Sequence, residues 1–384
     1  MNTLVEGRYW VLKSWLFVVA MAGLFSCSPA VIFYLPSSLP PAYQLKSVSP
    51  LADTAPLTTP DDPGERSHGA KLTPRLTGSI LLFASTKLGF HPYIPATLGG
   101  LIYLLGGITV AYRLTDDRVT AIAMGTLLAG LYASNACFSM NFAPKPFDGV
   151  ALGMIALTIM MMDRPWLLGL AAFLAIWSDE RAIVSLGLIG LLILAVNQFD
   201  WAKSVRRWGV LLVALIAYAI SRSTISASMN WTSADTSMLG ENLVGSLTLA
   251  QMAAWSCFEG GWIAILLAIW AGYRSGNWMR AGLITAAAVA SIASCLIVLD
   301  ITRASAFAFP LIFVALVCLT KDNVVTEKTT IDSVNAERFG TIRHATILSA
   351  AVSIIAANFE IIAWTAVVPL PSTLMSLFSL LVTV

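Results

Sequence analysis

Trp177-Ser178-Asp179-Glu180-Arg181-Ala182 sets three adjacent charged residues between two apolar runs, Trp166 to Ile176 and Ala182 to Val196. Charges at membrane depth are costly, so they pair, line a watery hollow or bind something. Such a step between two apolar runs reads as a functional position at the end of paired membrane helices.

The rest of the chain supports a membrane setting. Of its 384 residues 57% are hydrophobic and 11% charged, against about 25% charged in ordinary soluble domains. The formal charge of +2 is spread along the chain, which argues against a nucleic-acid partner. The five cysteines (Cys27, Cys137, Cys257, Cys295, Cys318) lie in or beside apolar runs without C-x-x-C spacing and read as small core residues. His68, His91 and His344 are too scattered for a metal site by spacing.

The expected spans begin with Trp15–Tyr34, about 20 residues and long enough to cross a bilayer as a helix, and several of those that follow are short enough to be tilted, broken or shielded by neighbours. They continue at Ile94–Tyr112, Val119–Phe138, Phe147–Met162, Pro165–Ser178, Ala182–Val196, Trp208–Ile220, Phe258–Tyr273, Ala281–Leu299, Ala304–Leu319 and Ala345–Leu370. The expectation is an all-α polytopic bundle of about eleven spans forming one transmembrane domain over residues 1–384. Residues 35–93 read as a long extracytoplasmic loop, with Arg75 to Phe90 as an amphipathic interfacial helix. Ser246 to Cys257 suggests a second interfacial helix, broken from the next span at Glu259-Gly260-Gly261. Residues 321–344 read as a cytoplasmic connector without a periodic apolar face.

With the N-terminus cytoplasmic, Arg113, Arg118, Arg164, Lys203, Arg206, Arg207, Arg274 and Arg280 fall in inner loops, as the bias of Lys and Arg towards the cytoplasm requires. The outer connections then carry Asp148 and Lys145, the Asp179-Glu180-Arg181 step, Asp300 and Arg303, and the first loop with Asp53, Asp61, Asp62, Arg75 and His91. Arg75, Lys145, Arg181 and Arg303 are suited to phosphate oxygens, arginine bidentately and at any pH. The carboxylates can take a proton from a hydroxyl or hold a divalent cation, Mg or Mn. Trp177 stands beside the step as a stacking platform for a sugar. The alternative for each charge is bland: local ion pairs at helix ends, solvated loop acids, and a Lys145 that snorkels to the interface. Glu360, inside the last apolar run, is a further buried acid.

This layout resembles the GT-C superfamily of membrane glycosyltransferases: a first span, the long loop from Leu35 to Phe90, then paired spans with short connections. The Asp179-Glu180-Arg181 and Asp300-x-x-Arg303 steps also resemble polar steps in uncharacterised bacterial members. The resemblance implies a bacterial inner-membrane enzyme with its active face extracytoplasmic, moving a sugar from a polyprenyl-phosphate carrier to a glycan or lipid. It further implies that Asp53, Asp61, Asp62 or Asp148 deprotonates the acceptor, with Asp179 and Glu180 as further catalytic carboxylates. Arg75, His91, Lys145, Trp177, Arg181, Asp300 and Arg303 would contact the substrate. Two other classes fit the same charges: a transporter or flippase of a lipid-linked or anionic solute, and a non-catalytic subunit of an envelope complex.

Overall fold

The computed structural model describes residues 2–26, 75–90, 94–138, 146–229, 247–298, 301–321, 331–356, 358–362 and 366–370. The described chain is overwhelmingly helical. It runs as α1 (Asn2–Met21, closed by a π turn at Ala22–Ser26), α2 (Leu76–Lys87), α3 (Ile94–Thr115), α4 (Arg118–Gly130), α5 (Tyr132–Phe138) and α6 (Pro146–Met160). Then come α7 (Pro165–Ser178), α8 (Ala182–Val196), α9 (Trp201–Ser228), α10 (Ala250–Phe258), α11 (Gly261–Arg274) and α12 (Trp278–Leu296). The chain finishes with α13 (Ile301–Ser305), a 3-10 turn at Ala306–Ala308, α14 (Pro310–Lys321) and α15 (Ile331–Ile355), followed by β1 (Asn358–Ile362) and β2 (Ala366–Leu370).

Burial follows the apolar pattern of each helix. α8 is apolar on every side and is buried along almost its whole length, the pattern of a helix surrounded by others. Residues 301–320 are likewise buried except at Arg303, Leu319 and Thr320 and, with α8, form the centre. In α9 only Ser204, Leu211, Ala214 and Tyr218 are buried, one narrow stripe, while Val205, Leu212, Val213, Ile216 and Ile220 are exposed. A 28-residue helix with an apolar outer face is at home against lipid rather than water. These apolar helices are those of a multi-pass membrane protein. Four are long and apolar enough to cross a bilayer, or six if each bent pair is one span; length alone does not carry the expected eleven.

Several expectations are corrected. Residues 119–138 are two helices bent by 67° at Leu131, whose extended backbone ends α4. α9 starts seven residues before the expected Trp208, because the Asp200 side chain accepts the Lys203 N–H at 3.2 Å and caps it. Lys203, Arg206 and Arg207 thus sit in a helix end where a loop was expected, and the supposed outer connection from Ser221 is helical to Ser228. α15 begins at Ile331, inside the expected connector, and stops at Ile355. The remainder of the expected last span pairs as antiparallel strands with Glu360 opposite Val368; its β-branched residues suit strands and Pro369 cannot sit inside a helix. Nor is α2 amphipathic: its buried residues are Gly78, Ser79, Leu82 and Ser85, whereas Ile80 and Leu81 are exposed.

Two ends of the bundle are defined by contacts. Arg113 at the end of α3 donates to the Met160 carbonyl at 2.8 Å, and Arg207 reaches Asp163 at 3.4 Å. The last turns of α3 and α6 and the first turns of α9 therefore share one end. The first turn of α6, the α7–α8 connection and α13 share the other, and the candidate residues gather there.

Candidate functional site

α3 and α6 make the most extensive helix contact in the molecule, and it places the site's central carboxylate. A Cβ on Gly99 would lie 2.1 Å from the Gly149 carbonyl oxygen, and one on Gly153 2.5 Å from the Gly99 Cα. The Gly149-x-x-x-Gly153 spacing brings the two backbones into direct contact. Asp148, next to Gly149 in the first turn of α6, is thereby driven inward and is wholly buried.

Two arginines meet it from other elements, and a third joins them through Asp179. α7 ends at Ser178, and Asp179 leaves the helix in an extended conformation, its N–H still bonded to Ala175. Two residues later Arg181 returns to Asp179. Its Nε donates to Oδ1 at 2.8 Å, its Nη2 to Oδ2 at 2.6 Å and its backbone N–H to Oδ1 at 3.0 Å. The same Nη2 reaches Asp148 Oδ1 at 2.8 Å. From α13, Arg303 grips Asp148 with Nε on Oδ2 and Nη2 on Oδ1, both at 2.8 Å. Arg75, just before α2, brings Nη1 within 2.9 Å of Asp179 Oδ2, at an angle too poor for a hydrogen bond, so that nitrogen is buried without a partner.

The result is a chain of alternating charge, Arg303, Asp148, Arg181, Asp179, Arg75, drawn from four stretches of sequence. The carboxylates have no exposed side-chain surface, while the arginines are 15–18% exposed. The acids therefore lie deeper than the guanidiniums, with Arg75 over Phe147 and Arg181 over Phe307.

Among the described residues three guanidiniums meet two carboxylates here. Burial pushes the Asp179 carboxyl up, but Arg181 and Arg75 beside it prevail and hold it well below the usual carboxylate range. Burial lowers the pKa of Arg75; Asp179 opposes that, while Arg181 and Arg303 add to it. Arg75 is the least compensated member. An anion held beside Arg75 would accept the donor that its Nη1 leaves unbonded.

Glu180 turns the other way. Its side chain is 52% exposed, pairs with Arg222 at 3.0 Å and accepts the Tyr218 hydroxyl at 3.1 Å. Trp177 is buried, packed edge-on against Phe173 and Tyr218. It is a wall residue, and the stacking platform expected of it does not form. Asp53, Asp61, Asp62, His91, Lys145 and Asp300 lie outside the described residues. Among the described residues no three His, Cys, Asp or Glu side chains gather as metal ligands. Asp148 and Asp179 are engaged by arginines, whose charge repels a cation, so these two do not fit the expected divalent ion.

One buried acid went unremarked as a site: Glu259, 3% exposed, at the break between α10 and α11. Its only signal in the sequence is an acid immediately before Gly260-Gly261 inside an apolar stretch. Comparison of the chain with family models, with curated proteins and with solved structures finds no match in any of the three.

Proposed function

We propose that this chain is a membrane glycosyltransferase of GT-C type, transferring a sugar from a polyprenyl-phosphate carrier to an extracytoplasmic glycan or lipid. The observation that carries the reading is the arginine-rich charge chain at one end of the bundle, with its carboxylates wholly buried and its guanidiniums partly exposed. A phosphate that leaves as the glycosidic bond breaks gains negative charge, and fixed guanidiniums stabilise that gain.

In this reading Arg75, Arg181 and Arg303 hold the carrier phosphate. The acceptor oxygen attacks the anomeric carbon, the bond from that carbon to the phosphate oxygen breaks, and the acceptor's proton passes to a carboxylate. Asp148 and Asp179 are poor bases because both are committed to guanidinium partners; they serve as positioning residues. The base falls to the half-exposed Glu180 or to Asp53, Asp61 or Asp62 of the first loop.

Helix lengths suit a recessed site. α7 and α8 have 14 and 15 residues, about 21 and 22 Å at 1.5 Å per residue, short of the roughly 30 Å hydrocarbon layer. Counting the short helices as passes gives about eleven crossings, an inner-membrane protein with a cytoplasmic N-terminus, and the charge chain below the outer surface within reach of a lipid phosphate.

The test is direct. Purified protein in nanodiscs is presented with a panel of polyprenyl-phosphate hexoses and pentoses, and with undecaprenyl phosphate as a binding probe. Arg181→Lys and Arg303→Lys are expected to lower transfer about 100-fold or more and to weaken binding of the probe. Wild-type transfer in both variants would sink the reading. The transporter class keeps one observation in its favour: two bent helix pairs meet in the bundle interior, an arrangement from which transporters build sites. Proteoliposome uptake without sugar transfer would select it.

A further inference from the structure

The two helix breaks are not independent. α10 and α11 are bent by 88° at Glu259, and α4 and α5 by 67° at Leu131. The breaks touch: Glu259 Oε1 accepts the Tyr132 N–H at 2.8 Å. Glu259 holds φ 45° and ψ −121°, a conformation that glycine adopts and other residues only under strain. Gly260 follows in the chain and would accommodate the turn more easily, yet the acid occupies the strained position. The chain packs closely behind it, with the Gly260 N–H donating to Ser353 Oγ at 3.1 Å.

The second carboxyl oxygen, Oε2, is buried and has no partner. Tyr103 of α3 is the titratable group that faces the acid, and Cys137 of α5 faces Tyr103 in turn; the Tyr103 hydroxyl donates to the Leu128 carbonyl at 3.4 Å. Cys257 of α10 is turned to Cys295 of α12, with the sulfurs 3.6 Å apart. α15 offers Ser349 and Ser353, and nearby α13 offers Arg303, which is committed to Asp148. Among the described residues no Lys, Arg or His forms an ion pair with Glu259. A carboxylate held by one N–H and no opposite charge is not sustained in a bundle interior; it takes up a cation.

We propose that Glu259 is a monovalent-cation site at the junction of the two broken helices, holding a proton or, in exchange for it, a sodium ion. Occupancy neutralises the buried carboxylate and lets the strained junction stay closed. The site is separate from the arginine chain and stands whether or not sugar transfer is found.

Infrared difference spectroscopy of the full chain in nanodiscs tests it. Wild-type protein at neutral pH and without sodium should show a protonated-carboxyl C=O band that Glu259→Gln abolishes and Glu259→Asp shifts. Raising the pH should remove that band. Sodium added at constant pH should remove it with release of a proton if sodium exchanges, and should leave it unchanged if the site is proton-only. Identical carboxyl bands in wild type and a folded Glu259→Gln variant, at every pH and sodium concentration, overturn the proposal. Should neither variant fold, the wild type alone decides: no protonated-carboxyl band at neutral pH together with a melting temperature indifferent to sodium overturns it equally.

Discussion

Asp148 and Glu180 are both acids paired with arginine at one end of the bundle, yet they are worth very different amounts. Asp148 is wholly buried and shared by Arg181 and Arg303, so Asp148→Asn removes a buried negative charge that two guanidiniums hold in common. Breaking a buried pair from one side costs about 3–5 kcal/mol. Glu180 is half exposed, and Glu180→Gln is expected to cost no more than about 1 kcal/mol, as exposed pairs do. Denaturant unfolding in detergent compares the two; equal losses would mean that burial does not set the worth of the pair. The sequence showed that the Asp179-Glu180-Arg181 step is special because three charges interrupt apolar runs. It could not show which acid turns inward. That depends on where α7 stops: Asp179, one residue past the last turn, is carried back under Arg181, and Glu180 is left facing Tyr218 and Arg222.

Helix pairs set these side chains in place, and the α3–α6 contact is the one most sensitive to a single atom. Gly149→Ala puts a methyl group 2.6 Å from the Ala96 carbonyl oxygen. Backbone cannot yield as a side-chain tip does, so α6 must move and Asp148 with it. The expected loss is about 1–3 kcal/mol, as for overpacking elsewhere, accompanied by weaker anion binding; a variant as stable and as active as wild type would contradict the close approach. A second link ties α4 to α15, where Arg343 grips Asp117 at 2.9 Å. Burial raises the Asp117 pKa, but the hydrogen bonds from Arg343 and Thr120 prevail and bring it from 3.8 to about 2. Its contribution is full above pH 3.8 and is lost as pH falls through about 2. The stability gap between wild type and Asp117→Asn should therefore close over that window, and a gap independent of pH there would rule the link out. At this scale the sequence was readable where the chain marks its own ends: Pro165 opens α7, the charged step separates α7 from α8, and Gly260-Gly261 announces a break. It misled where polar residues lie inside helices. Lys203, Arg206 and Arg207 looked like a loop because the cap that makes them helical, Asp200, is a single side chain. The run after Ile355 is as apolar as a helix would be, and only strand pairing with residues 366–370 distinguishes it.

Across the whole molecule, the distribution of charge between the two ends implies an orientation that no single helix fixes. Arg113, Lys203, Arg206, Arg207, Arg274 and Arg280 cluster on or near helix ends opposite the site, where basic residues predominate; at the site end acids and arginines are nearly balanced. The proposed orientation, which follows the bias of Lys and Arg towards the cytoplasm, has the charge chain on the extracytoplasmic side. α9 offers a ruler for testing this, since it is long enough to cross and most of it is exposed. Lys203, with 73% of its side chain exposed, marks one end, and the exposed Ser228 marks the other. Of the five native cysteines the four described ones, Cys137, Cys257, Cys295 and Cys318, are buried, and with Cys27 replaced by serine they contribute little background to thiol labelling. A membrane-impermeant maleimide applied to intact cells should label Ser228→Cys and spare Lys203→Cys until the membrane is opened. The reverse pattern would turn the molecule over: the arginine chain would meet the cytoplasm, where sugars are carried by soluble nucleotides as well as by lipids. The case for a lipid-carried donor would then lose its geometric support, while the anion-binding chemistry of Arg75, Arg181 and Arg303 would remain. Labelling at both ends from outside would instead mean that α9 lies along the surface, and its exposed Val205, Leu212 and Ile216 would then have to be covered by something other than the hydrocarbon layer.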